Sequence, residues 1–370
     1  MMADIQTELC GINFPNPIWT AAGPGGASAE KLLEAARGGA GGLVTKTISV
    51  SAARVPIPNI SSPSPGSLLN AELWSEIDHD KFIAEEFPKA KTSGLPLVAS
   101  LGYSPEDLRI VGKKIQQAQA VDAIEFSIHY VGKDPENLQA IARSLREVVD
   151  IPIWVKLSPA ILDLQAVVEA LDDMVDGYVA INSVGPALDF NIQTLQPHLG
   201  SADGRGWLSG RAILPLGLHF VEHLYRLTKK PVIGVGGIRR VEDVIKYIMV
   251  GASAVQICSM AVLRGQTVYG QLAQELSDWM DKQNYPMLEV LRGIYHRRQK
   301  HPMYLLGEGT QLYPEISYPH CKYCDLCVKS CMHGAISFID KEYLLNREKC
   351  VKCGLCTSIC PYDALYMKES

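Results

Sequence analysis

A chain of 370 residues is too long for one small core, and 47% hydrophobic against 20% charged residues is the composition of an ordinary globular protein. The net charge of −5 comes without any basic block, which excludes a nucleic acid or an anionic membrane surface as the main partner. Eight of the ten cysteines fall after residue 320; Cys10 and Cys258 are too few for a disulfide framework, so the expected setting is the reducing cytoplasm.

Residues 1–10 carry Asp4 and Glu8 and have neither a basic start nor an apolar centre, so no signal peptide is expected. Short apolar runs then recur at 18–22, 42–46, 97–101, 123–127, 153–157, 177–182, 232–236 and 254–258. Amphipathic helical stretches follow most of them, at 105–118 (with Ser104 as N-cap), 137–148, 162–174, 212–227 and 241–249. Apolar runs behind crossover helices are the pattern of strands buried in a parallel sheet, and eight such units predict an α/β fold of the (β/α)8 barrel type. An open doubly wound sheet would want G-x-G-x-x-G early in the chain, and Gly23-Pro24-Gly25-Gly26 does not supply that spacing. The uncharged run 247–263 is broken by Gly251, Ser253, Gln256 and Ser259, and is read as helix end, turn and buried strand, not as a membrane span.

Two connections, 47–96 and 183–210, are too long to be plain links. Both leave the carboxyl end of a strand, so both are expected to cover the site. A last helical stretch near 287–298 leads through a linker at 306–319 to the cysteine-rich end, which places the domains at 1–310 and 311–370.

Cys321, Cys324, Cys327 and Cys331 follow the spacing C-x2-C-x2-C-x3-C, and Cys350, Cys353, Cys356 and Cys360 repeat it, with Pro361 after the second run and Met332 after the first. Thiolates suit iron, and three cysteines on one tight turn can hold three corners of a cubane. In two-cluster ferredoxins the fourth ligand crosses over, which groups Cys360 with the first three cysteines and Cys331 with Cys350, Cys353 and Cys356. Structural zinc is the alternative, but zinc sites pair two C-x2-C knuckles across a longer spacer. The expectation is two [4Fe–4S] clusters in a small α+β ferredoxin-like module.

At the strand ends stand Lys46 and Lys156. An ammonium in a barrel mouth is tolerated only beside an anionic or electron-rich partner, and two on one rim point to a cofactor. The Gly234-Val235-Gly236-Gly237 turn and the stretch from Gly251 to Ser259 end the seventh and eighth strands, where barrels commonly bind phosphate.

These residues carry a resemblance. Asn16-Pro17 with Ala21-Ala22-Gly23, Thr45-Lys46, Val155-Lys156-Leu157, Asn182-Ser183, Ser209-Gly210, Gly236-Gly237-Ile238 and Gln256-Ile257-Cys258-Ser259 keep the order and spacing of the dihydroorotate dehydrogenase barrel. Barrel and cysteine module together resemble the carboxyl-terminal half of dihydropyrimidine dehydrogenase. The resemblance implies FMN, with Ala21, Ala22, Gly23, Lys46 and Thr47 along its ring. Lys156 would lie near N1 and the C2 carbonyl, Asn182, Ser183 and Gly210 beside the ring, and Gly236, Gly237, Cys258 and Ser259 at the phosphate.

The sequence departs from the family after the fourth strand. Where the pyrimidine enzymes have a stretch resembling N-L-S-C-P-N, this chain has Glu125-Phe126-Ser127-Ile128-His129-Tyr130. Ile128 stands in place of the proton-donating cysteine, and Glu125 and Tyr130 in place of amide-gripping asparagines. Asn70 and Asn182 remain, and with Glu125 and His129 they form the expected substrate contacts. The expected catalytic residues are His129 as proton donor, then Tyr130 and Glu125, with Lys156 on the cofactor.

The function expected is an iron–sulfur flavoenzyme. It would move two electrons between FMN and a C–C or C=C bond of a small cyclic or conjugated non-pyrimidine substrate, and single electrons along the clusters. The alternative is an electron-transfer subunit without its own substrate. No NAD(P)H motif is seen, so the expected protein partner is a separate NAD(P)H flavoprotein or a ferredoxin, and the chain is expected to form a homo-oligomer.

Overall fold

Residues 3–128, 135–298 and 312–369 are described by a computed structural model, in two compact units, Met1–Gln299 and Lys300–Ser370. The boundary expected near residue 310 lies outside the described residues. At the centre of the first unit are eight parallel strands: β1 Ile18–Thr20, β2 Leu43–Val44, β3 Leu97–Leu101, β4 Ala123–Ser127, β5 Ile153–Leu157, β6 Gly177–Ala180, β7 Val232–Val235 and β8 Ala254–Ile257. They hydrogen-bond in the order β1, β8, β7, β6, β5, β4, β3, β2. A parallel bridge from Trp19 to Gly42, just ahead of β2, closes the sheet into a (β/α)8 barrel.

Every residue of β3, β4 and β5 is buried, because one face of each strand fills the barrel and the other lies under helices. Those helices are α1 Ala29–Arg37, α2 Phe87–Lys91, α3 Pro105–Ala118, α4 Pro135–Arg146, α5 Leu164–Leu171, α6 Leu214–Leu227, α7 Val241–Met249 and α8 Val268–Lys282. Ser104 caps α3 as expected and forms a capping box with Asp107. α4 starts earlier than its hydrophobic pattern suggests because Pro135 suits a first helical position. α5 starts later than expected because Asp163 accepts from Ala166 N–H as its N-cap. The stretch expected at 287–298 splits into Leu288–Leu291 and Ile294–Arg298 around Gly293, whose φ is +68°.

Inside the barrel, Trp19, Val44, Val98, Ala123, Trp154, Val179, Ile233 and Ala254 form an apolar layer. A hairpin, Thr7–Leu9 with Ile12–Phe14, adds Leu9 and Phe14 to it from the amino end, and Phe14 stacks on Trp19 at 4.0 Å. Burying a side chain of this size is worth roughly 1.5–3 kcal/mol. The layer therefore makes the amino end a solid floor and leaves the carboxyl end as the place for chemistry.

Over that end the two long connections combine into one antiparallel sheet. Its strand order is Val184–Ala187, Gly206–Gly210, Ser67–Asn70 and Ile60–Ser61, so each connection supplies two strands. Trp207 pairs with Asn70 and Gly210 with Ser67. The expected covers are thus a single element.

The second unit pairs Leu312–Ile316 with Leu365–Glu369 and Ile336–Ile339 with Glu342–Leu345, and carries short helices at Leu326–Lys329 and Leu355–Ser358. Its two halves repeat in backbone as well as in sequence. Left-handed φ angles recur at Tyr323 and Lys352, at Asp325 and Gly354, and at Gly334 and Asp363. Cys327, Ile336, Cys356 and Leu365 pack together in its core, and Ala335 and Ala364 are also buried. This is a ferredoxin-like module.

Candidate active site and cluster sites

Between the strand ends and the cover lies a cavity lined by every one of the proposed cofactor contacts: Ala21, Ala22, Gly23, Lys46, Thr47, Lys156, Asn182, Ser183, Gly210, Gly236, Gly237, Cys258 and Ser259. The loop glycines shape one end of it. Gly236 and Gly237 have φ of +124° and +78°, and a Cβ on Gly237 would stand 2.6 Å from Leu214. A Cβ on Gly23 would meet Cys258 Sγ at 2.8 Å. Ser259 Oγ donates to Ser209 Oγ at 2.9 Å across the same end. Bare backbone and hydroxyls there suit an anionic group.

Directly above the apolar floor is a closed polar ring. Lys156 Nζ donates to Glu125 Oε1 at 3.2 Å and to Gln256 Oε1 at 3.0 Å, and Gln256 Nε2 donates to Glu125 Oε2 at 2.6 Å. All three side chains are buried, and each polar group is used, as burial demands. Gln256 was not among the expected site residues, although a glutamine inside the otherwise apolar β8 is a readable signal.

The ring gives Glu125, expected as a substrate contact and acid, a different setting: it is completely buried, is not among the residues lining the cavity, and pairs with the Lys156 ammonium. The residue of β4 that reaches the cavity is Ser127, next on the same face. Ile128 points elsewhere again, buried in the shell between sheet and helices. His129 and Tyr130 lie outside the described residues.

Lys46 is also paired. Its ammonium, buried in the cavity wall, lies 2.5 Å from Glu72 Oε2 and 2.8 Å from Glu76 Oε2, both supplied by the connection after β2. Glu72 itself lines the cavity and is held by Asn59 Nδ2, 2.5 Å from its other oxygen. Neither carboxylate was expected, because nothing in their local spacing distinguishes them from a solvated charge.

The two asparagines differ. Asn182 lines the cavity, its Nδ2 donating to Ser127 Oγ at 3.3 Å and its Oδ1 accepting from Ser183 N–H at 2.8 Å. Asn70 also lines it, but its Nδ2 donates to Trp207 O at 3.0 Å and its Oδ1 accepts from Glu72 N–H at 3.2 Å, which ties the cover together. Burial pushes the Cys258 thiol up to about 11 even though Lys156 pulls it the other way, so this cysteine is a neutral wall residue.

In the second unit each quartet of sulfurs surrounds its own small hollow. Cys321, Cys324, Cys327 and Cys360 line one, and Cys331, Cys350, Cys353 and Cys356 the other, which is the expected crossed grouping. Backbone N–H groups point at the sulfurs: Tyr323 to Cys321, Ala335 to Cys331 and Ala364 to Cys360, each at 3.4 Å. Such contacts help set a cluster's potential.

Buried ammoniums, amide edges and a glycine-lined end fit a planar hydrogen-bonding ring with an anionic tail, and the two sulfur quartets fit cubanes. The family model described as dihydroorotate dehydrogenase matches residues 4–280. The chain belongs to the dihydroorotate dehydrogenase family. A 4Fe-4S dicluster domain matches residues 320–368, so this member of the dihydroorotate dehydrogenase family is an iron–sulfur flavoenzyme, an oxidoreductase acting on CH–CH bonds with FMN and two [4Fe–4S] clusters.

Among its relatives, dihydroorotate dehydrogenase B (NAD(+)), catalytic subunit, of Thermoplasma acidophilum is 32% identical over 303 residues, covering 79% of this chain and 99% of the relative. The protein of the same name from Methanocaldococcus jannaschii is 33% identical over 312 residues, covering 79% and 98%. About a fifth of the present chain therefore has no counterpart in either relative. No helix among the described residues is long and apolar enough to cross a membrane.

Proposed function

We propose that this enzyme oxidises or reduces a C–C or C=C bond in a small cyclic or conjugated substrate that is not a pyrimidine, and exchanges the electrons one at a time with a partner protein through the two clusters. Bound FMN supplies the two-electron chemistry and the cubanes supply single-electron steps. The chain's own residues do the rest. Lys156, fixed by Glu125 and Gln256, presents a positive charge on the cofactor side of the cavity. Asn182 and Ser127 present an amide and a hydroxyl to the substrate side. The cover sheet walls the cavity through Ile60, Leu68, Asn70, Ser209 and Gly210.

The observation that carries the non-pyrimidine reading is the loss of amide recognition. The side chain at 125 is drawn into the barrel ring, that at 128 into the outer shell, and the amide of Asn70 is engaged by the cover. A pyrimidine would leave polar edges unpaired, at about 1–3 kcal/mol each. The proton that accompanies a two-electron step is assigned to His129, because imidazole is the side-chain type whose ordinary pKa lies nearest neutrality, with Tyr130 next. The name of the relatives, an NAD(+) enzyme's catalytic subunit, supports the search for a partner that handles the nicotinamide. Ten free cysteines support a reducing, cytoplasmic setting, and a homo-oligomer remains part of the proposal.

The test is anaerobic flavin bleaching and recovery with candidate substrates. Recovery by a conjugated non-pyrimidine, together with His129→Ala lowering turnover while flavin and iron contents stay constant, is the expected result. Rapid turnover of uracil or orotate would overturn the substrate reading. Reoxidation by a partner protein and by no small molecule would make the chain an electron-transfer subunit.

A further inference from the structure

The two halves of the cysteine-rich unit share a backbone and differ in charge. Asp325 and Gly354 occupy the same place, directly after the second cysteine of each run, with φ of +58° and +75°. Asp363 and Gly334, three residues after the last cysteine of each run, are a second such pair, at +48° and +57°. Because the last cysteines cross over, both acids fall to the quartet of Cys321, Cys324, Cys327 and Cys360. Both glycines fall to the quartet of Cys331, Cys350, Cys353 and Cys356.

The cations do not offset this difference. Lys322 and Asp325 line the first hollow together, and Lys341 stands over the Tyr323 ring in its wall at 5.7 Å, so two cations there face Asp325 and Asp363. The second hollow is lined by Lys352 and, in place of the acid, by Gly354. Lys352 and Arg347 both stand over the ring of Tyr313, at 4.9 and 4.7 Å, beside Pro314 in the wall of that hollow. Glu348 and Lys349, adjacent in the chain, offset each other. Reduction adds an electron, which a neighbouring negative charge opposes and a positive one favours. Amide bonds to sulfur occur at both sites, through Ala335 and its counterpart Ala364, and do not rank them. The further bond from Tyr323 to Cys321 works the other way, with a partial charge set against whole ones.

We propose that the two cluster sites are unequal: the site of Cys331, Cys350, Cys353 and Cys356 has the higher potential and receives the first electron, while Asp325 and Asp363 keep the other site below it. Each site takes one electron, with no bond made or broken. A single electron then rests at a defined place, which suits a module set between a two-electron cofactor and a one-electron partner. The ordering goes beyond the proposed function and is the same for any substrate.

The test is an anaerobic redox titration of the full-length enzyme with FMN and both clusters in place, followed by electron paramagnetic resonance of the reduced clusters. Two one-electron cluster waves are expected. Asp325→Asn and Asp363→Asn should each move the lower wave alone, upward, and Gly354→Asp the upper wave alone, downward. Each shift should be about three-fold in the ratio of reduced to oxidised cluster at a fixed potential. An aspartate fits at 354 because Asp325 already holds the same left-handed conformation, and a Cβ on Gly354 meets nothing within 4 Å. Asp325, Asp363, Arg347 and Lys352 are exposed, so higher ionic strength should narrow the gap in the wild type.

Coincident waves in the wild type, a gap that salt leaves unchanged, or an upper wave moved by Asp325→Asn would each overturn the proposal. The wild-type and salt readings need no variant, so poor folding of Gly354→Asp would not shield it. Iron for only one cluster is a different result, since it would sink the reading of two quartets.

Discussion

The two units hold their cofactor sites in opposite ways. The barrel has a large apolar shell, an apolar floor and a self-satisfied polar ring, all complete in protein atoms. Among the described residues of the cysteine-rich unit the buried apolar side chains are few and small, Cys327, Ala335, Ile336, Cys356, Ala364 and Leu365, and two of them, Cys327 and Cys356, are proposed cluster ligands. One site is a cavity that a folded scaffold leaves open; the other is a scaffold that its ligands help to hold closed. Cofactor loss should therefore be a local event in the first unit and a structural one in the second.

The sharpest way to break this contrast is to remove the metal. Stripping iron by anaerobic chelation should unfold the region after residue 312 while the barrel keeps its FMN, as read by limited proteolysis and flavin absorbance. A protease-resistant cysteine unit without iron would show that the core alone suffices. Substituting one ligand sharpens the same point: Cys353→Ser should lose about half of the iron, because its quartet is separate from that of Cys321. Equal loss from both sites would mean that the sulfurs do not act as two sets.

On the barrel side the largest effect should come from the ring. Glu125→Ala strands the buried Lys156 ammonium and should destabilise the barrel by about 3–5 kcal/mol in denaturant titration, whereas Glu125→Gln, which keeps the hydrogen bonds, should cost less. An unchanged midpoint in Glu125→Ala would argue that water reaches Lys156. Lys156→Ala should weaken flavin reduction with iron content unchanged; full flavin reactivity in that variant would remove Lys156 from the cofactor. The smallest effect is at a cap: Ser104→Ala should cost about 1 kcal/mol through loss of its bond to the N–H of Asp107, with no change in either cofactor.

Much of this architecture was legible in residue order. Buried parallel strands are continuous apolar runs, so all eight could be placed, and the repeated cysteine spacing, set beside the two-cluster ferredoxin pattern, gave the same two quartets that line the two hollows. Depth was not legible. Glu125 and Ser127 are two residues apart on one face of β4, about 7 Å along the strand, yet one is sealed in the barrel and the other opens on the cavity. Apolar periodicity says which face a residue occupies and nothing of how far up the barrel it stands. Glu72 escaped for a different reason: its partners Lys46 and Asn59 are brought to it by the path of a long proline- and serine-rich connection, which has no repeat to read.

The cover sheet stitches together segments that leave the ribosome far apart in time. Asn70 and Trp207, bonded across its middle, are separated by 137 residues, so the first two strands of the roof wait for most of the barrel to be made before they find partners. The same splice makes the roof a single mechanical piece, so a length change in either connection shifts the strands contributed by the other.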